Sequence, residues 1–359
     1  MLDLEFYRGK RVFITGHTGF KGTWLCRVLV QTGAIVMGYA LEPPAEPNLF
    51  SLAGLESKMT SVIGDVRDYA SLKAAFDAAK PDIVFHLAAQ PIVRTSYERP
   101  QYTYETNVMG TVNLLECVRR AAIEGEPPRS VVNVTTDKVY LNREREEGYR
   151  EDEPLDGYDP YSNSKSCSEL VTHSYVNSFF ANSEVAVSTA RAGNVIGGGD
   201  FAKDRIIPDC IRAAVKGEKV IVRNPHSTRP YQHVLEPVMT YLLIAQEQYK
   251  DKTYAGWYNV GPDECDCVTT GELVNLFQAK WGQGFIWETQ TEDNAPHEAD
   301  FLKLDSSKIK HIFAWKPTWH IAQTVEKTVE WTRVWMNGGD IPAEMDREIN
   351  AFLEGAPIW

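Results

Sequence analysis

The sequence predicts an α/β protein, a doubly wound parallel sheet joined to a smaller mixed α/β unit. Three observations lead there. Short β-branched runs alternate with helical stretches through about residue 190, the pattern of parallel strands linked by crossover helices. The first run is followed by Gly16, Gly19 and Gly22 at three-residue spacing and then by a helical stretch. After RAGNVIGGGD the texture changes to short helical patterns between loops rich in Pro, His, Asp and Trp.

Taken in order, strands are expected at RVFIT, AIVMGY, TSVIGD, DIVFHLAA, SVVNVTT and EVAVSTA, runs that are short and β-branched. TWLCRVLVQTG supplies the first helix, and LEPPAEPN and GEPPRS punctuate the connections. Later helices are expected around 208–216, 234–249, 270–281 and 321–336. Residues 1–190 read as a dinucleotide-binding domain. Residues 191–359 read mainly as a substrate-binding domain, with some segments returning to the first. The stretch NREREEGYREDE at 142–153 mixes both charge signs and reads as a solvated loop.

Composition narrows the function. A net charge of −12 over 359 residues argues against general nucleic-acid binding, which needs clustered Lys and Arg. The chain has no run of about 18 apolar residues, and MLDLEFYRGK enters the first strand without the apolar stretch of a signal peptide. A cytoplasmic protein is expected. Cys26, Cys117, Cys167, Cys210, Cys265 and Cys267 lack paired C-x-x-C spacing, so reduced, mostly buried thiols are expected and no metal.

The glycine loop carries the first chemistry. Glycine permits a tight turn and close approach of backbone to a pyrophosphate, while the following helix N-terminus offers free N–H groups. Placed between strand and helix, Gly16-His17-Thr18-Gly19-Phe20-Lys21-Gly22 points to a Rossmann-type dinucleotide site. Glu42 is the nearest carboxylate for an adenosine ribose, although Ala40 stands where an acid is more usual. No arginine in that stretch pairs a 2′-phosphate, so NAD is expected over NADP. Asp65, with Val66 beside it in GDVRD, is a candidate for the adenine edge, a solvated turn being the alternative.

Two further motifs concern protons. VVNVTTDKVY stops an apolar strand on Thr135, Thr136, Asp137 and Lys138, where a surface ion pair is the ordinary explanation. DPYSNSKSCSEL places Tyr161 and Lys165 four apart, on one helix face. A free tyrosine titrates near 10, so action as a base near neutral pH needs about 3 units of phenolate stabilisation. A neighbouring lysine and a cationic nicotinamide are able to supply it.

Together the glycine loop, His86-Leu87-Ala88-Ala89, Asn107 in ETNVMGT, TTDKVY, Tyr161-x-x-x-Lys165 and RAGNVIGG resemble the extended short-chain dehydrogenase/reductase family. Thr136-Asp137 followed by a second ionisable residue is similar to the nucleotide-sugar 4,6-dehydratases within it. GHTGFKGTWL, GYALEPP with PNLF behind it, Asp-Lys where Asp-Glu is usual, and PHEADFLKLD narrow the likeness to dehydratases acting on CDP-glucose.

The resemblance implies oxidation of the sugar at C4 by tightly held NAD, loss of water across C5 and C6, and reduction at C6. Tyr161 is then the base at O4, Thr136 its hydrogen-bonding companion, and Lys165 the group that holds the nicotinamide ribose. Asp137 and Lys138 become the acid–base pair of the elimination, Lys138 standing where glutamate is more usual. Cofactor contacts are implied for Gly16, His17, Thr18, Gly19, Phe20, Gly22, Glu42, Asp65, Val66, Leu87, Ala88, Ala89, Asn107, Thr135, Tyr161 and Lys165. His17 replaces a small residue, and its ring either crowds the pyrophosphate or points outward. Substrate contacts are implied for Arg94, Ser96, Asn194, Arg205, Arg229 and His297. Arginine suits a diphosphate because its planar fork donates two hydrogen bonds at once. A homodimer or homotetramer is expected through helices in 102–122 and 162–180. The alternatives are a dehydratase of another nucleotide sugar, a nucleotide-sugar 4-epimerase, and a non-catalytic dinucleotide sensor.

Overall fold

The computed structural model describes residues 1–290 and 300–355. Six strands form where the β-branched runs place them: β1 (Arg11–Thr15), β2 (Ile35–Ala40), β3 (Thr60–Ile63), β4 (Ile83–His86), β5 (Ser130–Val134) and β6 (Ala186–Ala192). Between them run α1 (Phe20–Gln31), α2 (Leu49–Leu52), α3 (Tyr69–Ala79), α4 (Val93–Glu98), α5 (Pro100–Tyr104), α6 (Gly110–Glu124) and α7 (Pro160–Tyr175). Four short strands follow, β7 (Val195–Ile196), β8 (Val220–Val222), β9 (Thr228–Pro230) and β10 (Gln232–His233), before β11 (Trp257–Val260) rejoins the main sheet beside β6. The resulting parallel order is β11-β6-β5-β4-β1-β2-β3. The order reverses at β1 and β4, which opens a crevice at the carboxyl ends of those strands, where α/β folds bind ligands.

The sheet is buried on both faces because its side chains alternate with period two. From β1, Val12 and Ile14 enter one core with Trp24, Val28, Leu242 and Met345, while Phe13 enters the other with Phe76, Leu114, Val118 and Val187. The first of these cores is completed by α9 (Leu235–Lys250), which returns from the second half of the chain. Local sequence sets helix starts. Asp159 accepts from Ser162 N at 3.0 Å and Ser162 Oγ at 2.5 Å, with Pro160 at the first helical position, so α7 begins just before Tyr161.

The second unit has its own core of Ile207, Ile211, Phe277, Val325 and Val329. It is built from α8 (Ile206–Lys216), α10 (Thr270–Trp281) and α12 (Ile321–Met336), with α11 (Ser307–Phe313) and α13 (Ile341–Gly355) also in this half of the chain. Strands β12 (Cys267–Thr269) and β13 (Trp287–Thr289) pair with β9 and β8 respectively. The expected helices form within a residue or two of their positions. Neither β11 nor α13 is foreseen in the sequence reading. WYNV is a run of only four residues, too brief to stand out from the loops around it.

The 142–153 stretch is not simply solvated. Tyr149 is buried and stacks on Tyr140 at 5.3 Å, and its backbone pairs with Lys303 and Asp305. The half-buried Arg145, paired with Glu153, lies over the Tyr149 ring at 4.4 Å, while Arg143, Glu144, Glu146 and Glu147 are exposed. Of the cysteines, Cys26, Cys117 and Cys210 are buried, Cys167 and Cys267 half-buried and Cys265 exposed, all free. Among the described residues no helix is long and apolar enough to cross a membrane.

Candidate active site

The glycine loop closes on itself and on the turn after β4. Gly16 adopts φ of +80°, and a Cβ there would lie 2.7 Å from Ala88 N, so only glycine lets the two loops meet. A Cβ at Gly22 would lie 2.1 Å from Gly16 O. Gly19 differs, since its Cβ would meet no described atom nearer than Gly16 O at 3.4 Å. Protein packing does not demand glycine at that position, the N-cap of α1. The open space beside it, at a helix N-terminus, fits a dinucleotide pyrophosphate.

His17 points neither into that space nor into solvent. Its ring is fully buried against Phe50, with Nε2 at 2.7 Å from Ser61 Oγ on β3, and it occupies the room that a side chain at Gly38 would need. Burial pushes its pKa down to about 4. The other expected cofactor residues divide by what their side chains already hold. Thr18 donates to Leu41 O, tying the glycine loop to the end of β2 near the exposed Glu42. Asp65 is paired with Arg67 at 2.6 Å, and Val66 is buried against Gly110. Leu87, Ala88 and Ala89 form the turn after β4, in which Ala88 N donates to Thr15 Oγ1.

Asn107 lies in a π-helical turn, Glu105–Met109, that aims its amide inward. Its Oδ1 accepts from Gln90 N at 2.8 Å, while its Nδ2 donates to Gln90 O and Ser164 Oγ. The amide thus fastens the turn after β4 to α7. Thr135 is committed likewise, donating to Glu169 Oε1 at 2.5 Å.

One cavity gathers the residues expected to react. It is lined by Phe20, Thr136, Asp137, Lys138 and Tyr161, and across from them by Arg94, Asn194, Arg205 and Arg229. Asp137 is buried. Its Oδ1 accepts from Thr136 Oγ1 at 2.9 Å, whereas Oδ2 has no hydrogen-bond partner. Burial raises its pKa, against the opposing pull of Lys138, Thr136, Arg229 and Lys21. A carboxyl so placed holds its proton to higher pH than a free one, the direction an acid requires.

Tyr161 and Lys165 are both buried in this part of the site. Burial pushes Tyr161 up to about 12, opposed by its hydrogen bond to Thr136 and by the charge of Arg205. Lys165 instead donates to Val134 O at 3.1 Å, and burial together with Lys21 lowers its pKa to about 7. Lys21 itself is a site residue that the sequence reading passed over as a spacer between glycines. It lines the cavity, and burial and Arg205 bring it down to about 8, opposed by Asp137. Its signal was in plain view, a basic side chain in the first turn of a helix whose N-terminus already favours anions.

On the substrate side Arg205 is held by Asp200 at 2.9 Å, and Arg229 donates to Thr228 O at 2.9 Å from β9. Ser96 is not in the cavity. It is fully buried and donates to Val93 O at 2.6 Å within its own helix, which consumes the hydroxyl. His297 lies outside the described residues.

Comparison with known proteins places the chain among nucleotide-sugar enzymes. The chain is 49% identical over 360 residues to the CDP-glucose 4,6-dehydratase of Salmonella typhimurium, covering 98% of this chain and 99% of that one. Its fold is shared with dTDP-glucose 4,6-dehydratase from Bacillus anthracis in complex with NAD, at a TM-score of 0.74 and 20% identity over 91% and 98% of the two chains. It is shared also with UDP-glucuronic acid 4-epimerase from Bacillus cereus in complex with UDP-glucuronic acid and NAD, at a TM-score of 0.77 and 20% identity over 90% and 99%. Since the family model for GDP-mannose 4,6 dehydratase matches residues 13–328, nearly the whole described fold and every motif of the cavity, the chain belongs to that family of nucleotide-sugar dehydratases.

Proposed function

We propose that this chain is a lyase that converts CDP-D-glucose to CDP-4-dehydro-6-deoxy-D-glucose with tightly held NAD, as a cytoplasmic homodimer or homotetramer. The observation that carries the reading is the meeting of Tyr161 and Thr136 with Asp137 and Lys138 in one cavity. An oxidation needs only the first pair, and an elimination needs an acid and a base at neighbouring carbons. The substrate follows from the CDP-glucose relative at 49% identity.

Bound NAD supplies the oxidant for C4 and the reductant for C6. The residues do the rest. The glycine turn would let a pyrophosphate approach the free N–H groups in the first turn of α1, since Gly16 N and Gly19 N are already donated to Tyr39 O and Gly16 O, and Lys165 would hold the nicotinamide ribose. Tyr161 takes the O4 proton, with Thr136 beside it. With the pull of Arg205 already included, the protein alone holds Tyr161 up at about 12, so further stabilisation of its phenolate would fall to a bound cationic nicotinamide. Once C4 is a ketone, Lys138 removes the acidified C5 proton or stabilises the charge left behind, and protonated Asp137 delivers a proton to the departing O6. General acid–base help of this kind is worth about 10²–10⁴-fold per participant. Arg205 and Arg229 grip the diphosphate by bidentate hydrogen bonds.

Support for self-association comes from Met109 at 50% exposure, Leu170 at 53% and Phe179 at 50%, large apolar side chains on the two helical stretches expected to pair. The chemical test incubates the protein with CDP-, dTDP-, GDP- and UDP-glucose and weighs the products. A product one water lighter, formed with the highest kcat/KM from CDP-glucose, is expected. Equal rates across the four would overturn the cytidine preference, and inversion at C4 without loss of water would make the chain an epimerase.

A further inference from the structure

The segment that carries the acid and the base is tied to α7 by the Ser166 Oγ bond to Val139 O at 2.7 Å, and the anchors on either side of it lead to one buried ion pair. Glu169 and Arg191 have fully buried side chains and meet through two hydrogen bonds, Nε to Oε1 and Nη2 to Oε2, each at 3.0 Å. On the near side of Asp137, Thr135 Oγ1 donates to Glu169. On the far side of Lys138, the Tyr140 hydroxyl accepts from Arg191 Nη1 at 2.8 Å and donates to Asn259 Oδ1 at 2.6 Å. Thr189 adds a bond to Glu169 Oε2 at 2.7 Å.

Position gives the pair its meaning. Tyr161, Lys165 and Glu169 follow one another at four-residue spacing on α7, so Glu169 lies on the helix face that also carries Tyr161 and Lys165. Arg191 comes from β6, next to the strand that ends in the acid–base segment. The ion pair therefore joins the helix that carries the oxidation residues to the loop that carries the elimination residues. Stability alone explains such a pair poorly, since desolvating two charges costs as much as their attraction returns. Burial by itself would raise the Glu169 pKa, yet Arg191, His173 and Thr135 outweigh it and hold the carboxylate charged.

We propose that Glu169 and Arg191 are positioning residues, a clamp that sets Asp137 and Lys138 against the same face of the sugar that Tyr161 and Lys165 address, and so governs the elimination step specifically. This rests on the dehydratase reading. The mild test is Tyr140→Phe, which removes one anchor and leaves the ion pair intact. The stronger test is the double variant Glu169→Gln, Arg191→Met, which removes the pair without stranding a charge.

Each variant is mixed with NAD and CDP-glucose in a single turnover, following NADH absorbance and the dehydrated product separately, with circular dichroism as the check on folding. For Tyr140→Phe, NADH should rise at close to the parent rate while product formation slows about tenfold or more, the scale of losing the two buried hydrogen bonds that the hydroxyl makes. The double variant should widen that split. If both steps slow by one common factor in folded Tyr140→Phe, or neither changes, the clamp is overturned while the dehydratase reading stands. A parent protein that makes no dehydrated product overturns the reading and the clamp with it.

Discussion

The two edges of the candidate site are built by different means. At the glycine loop the surface offered to a ligand is backbone, shaped by absent side chains. At the strand ends of β5 and β6 it is side chain, and nearly every group is held by another: Thr135 by Glu169, Tyr140 by Arg191, Lys165 by Val134 O. A surface made of backbone tolerates varied neighbours but no extra atom. A surface made of side chains tolerates extra atoms poorly and lost partners worse. Substitutions at the two edges should therefore fail in different ways.

The largest effect is expected at Gly22. Because its Cβ would lie 2.1 Å from Gly16 O, Gly22→Val must move the loop or the helix, at about 3 kcal/mol or more. Both the unfolding midpoint and NAD binding should fall together. Gly19→Val sharpens the contrast, since its Cβ has only a 3.4 Å contact. There the unfolding midpoint should stay near that of the parent while NAD affinity falls about a hundredfold, roughly 2.8 kcal/mol at about 1.4 kcal/mol per tenfold. Isothermal titration alongside thermal melts separates the two outcomes. A destabilised Gly19→Val with unimpaired binding would place the pyrophosphate elsewhere.

Legibility in the sequence follows the same division. The backbone edge is written locally, as glycines at fixed spacing after a strand, and so are the six strands that alternate with helices. The side-chain edge is legible in its reacting residues, which sit in short motifs, but not in their supports. Glu169 meets Arg191 across 22 residues, and Asn259 meets Tyr140 across 119. No local pattern records such meetings. The same limit hid the role of His17, whose place under β2 depends on Gly38 lacking a side chain and on Ser61 at the start of β3. Ser96 illustrates the converse error, where a polar residue in a promising loop spends its hydroxyl on its own helix.

His17 provides the next test. Folding holds its pKa near 4, below the ordinary 6.5. Between those values the unfolded chain binds a proton that the folded protein refuses, so the contribution of His17 is fully present above pH 6.5 and is lost on acidification toward pH 4. His17→Asn keeps a polar group near Ser61 and cannot titrate. It should flatten the loss of stability between pH 6.5 and 4.5 by about 2 kcal/mol, read from urea midpoints at the two pH values. An unchanged acid slope would mean the ring is accessible to protons in the folded protein.

The smallest effect concerns Lys21, where the two edges touch. It belongs to the glycine loop by sequence and to the reacting cavity by position, and its charge acts on Lys165 across that boundary. Lys165 is lowered first by burial and then by Lys21, so removing the second cation lets Lys165 keep its proton to higher pH. Lys21→Met preserves the length and apolar stem of the side chain while deleting the charge. If a charged Lys165 is needed to bind the nicotinamide ribose and assist Tyr161, the basic limb of the pH–rate profile moves upward in this variant by a fraction of a pH unit. Asp137, needed in its protonated form, would push the same limb upward, because Lys21 helps to hold the Asp137 proton affinity down. Steady-state kcat profiles from pH 6 to 10 with saturating NAD read that limb. A profile superimposable on that of the parent would mean that the charge of Lys21 is screened from Lys165 in the loaded enzyme, and the two edges would then be electrically independent.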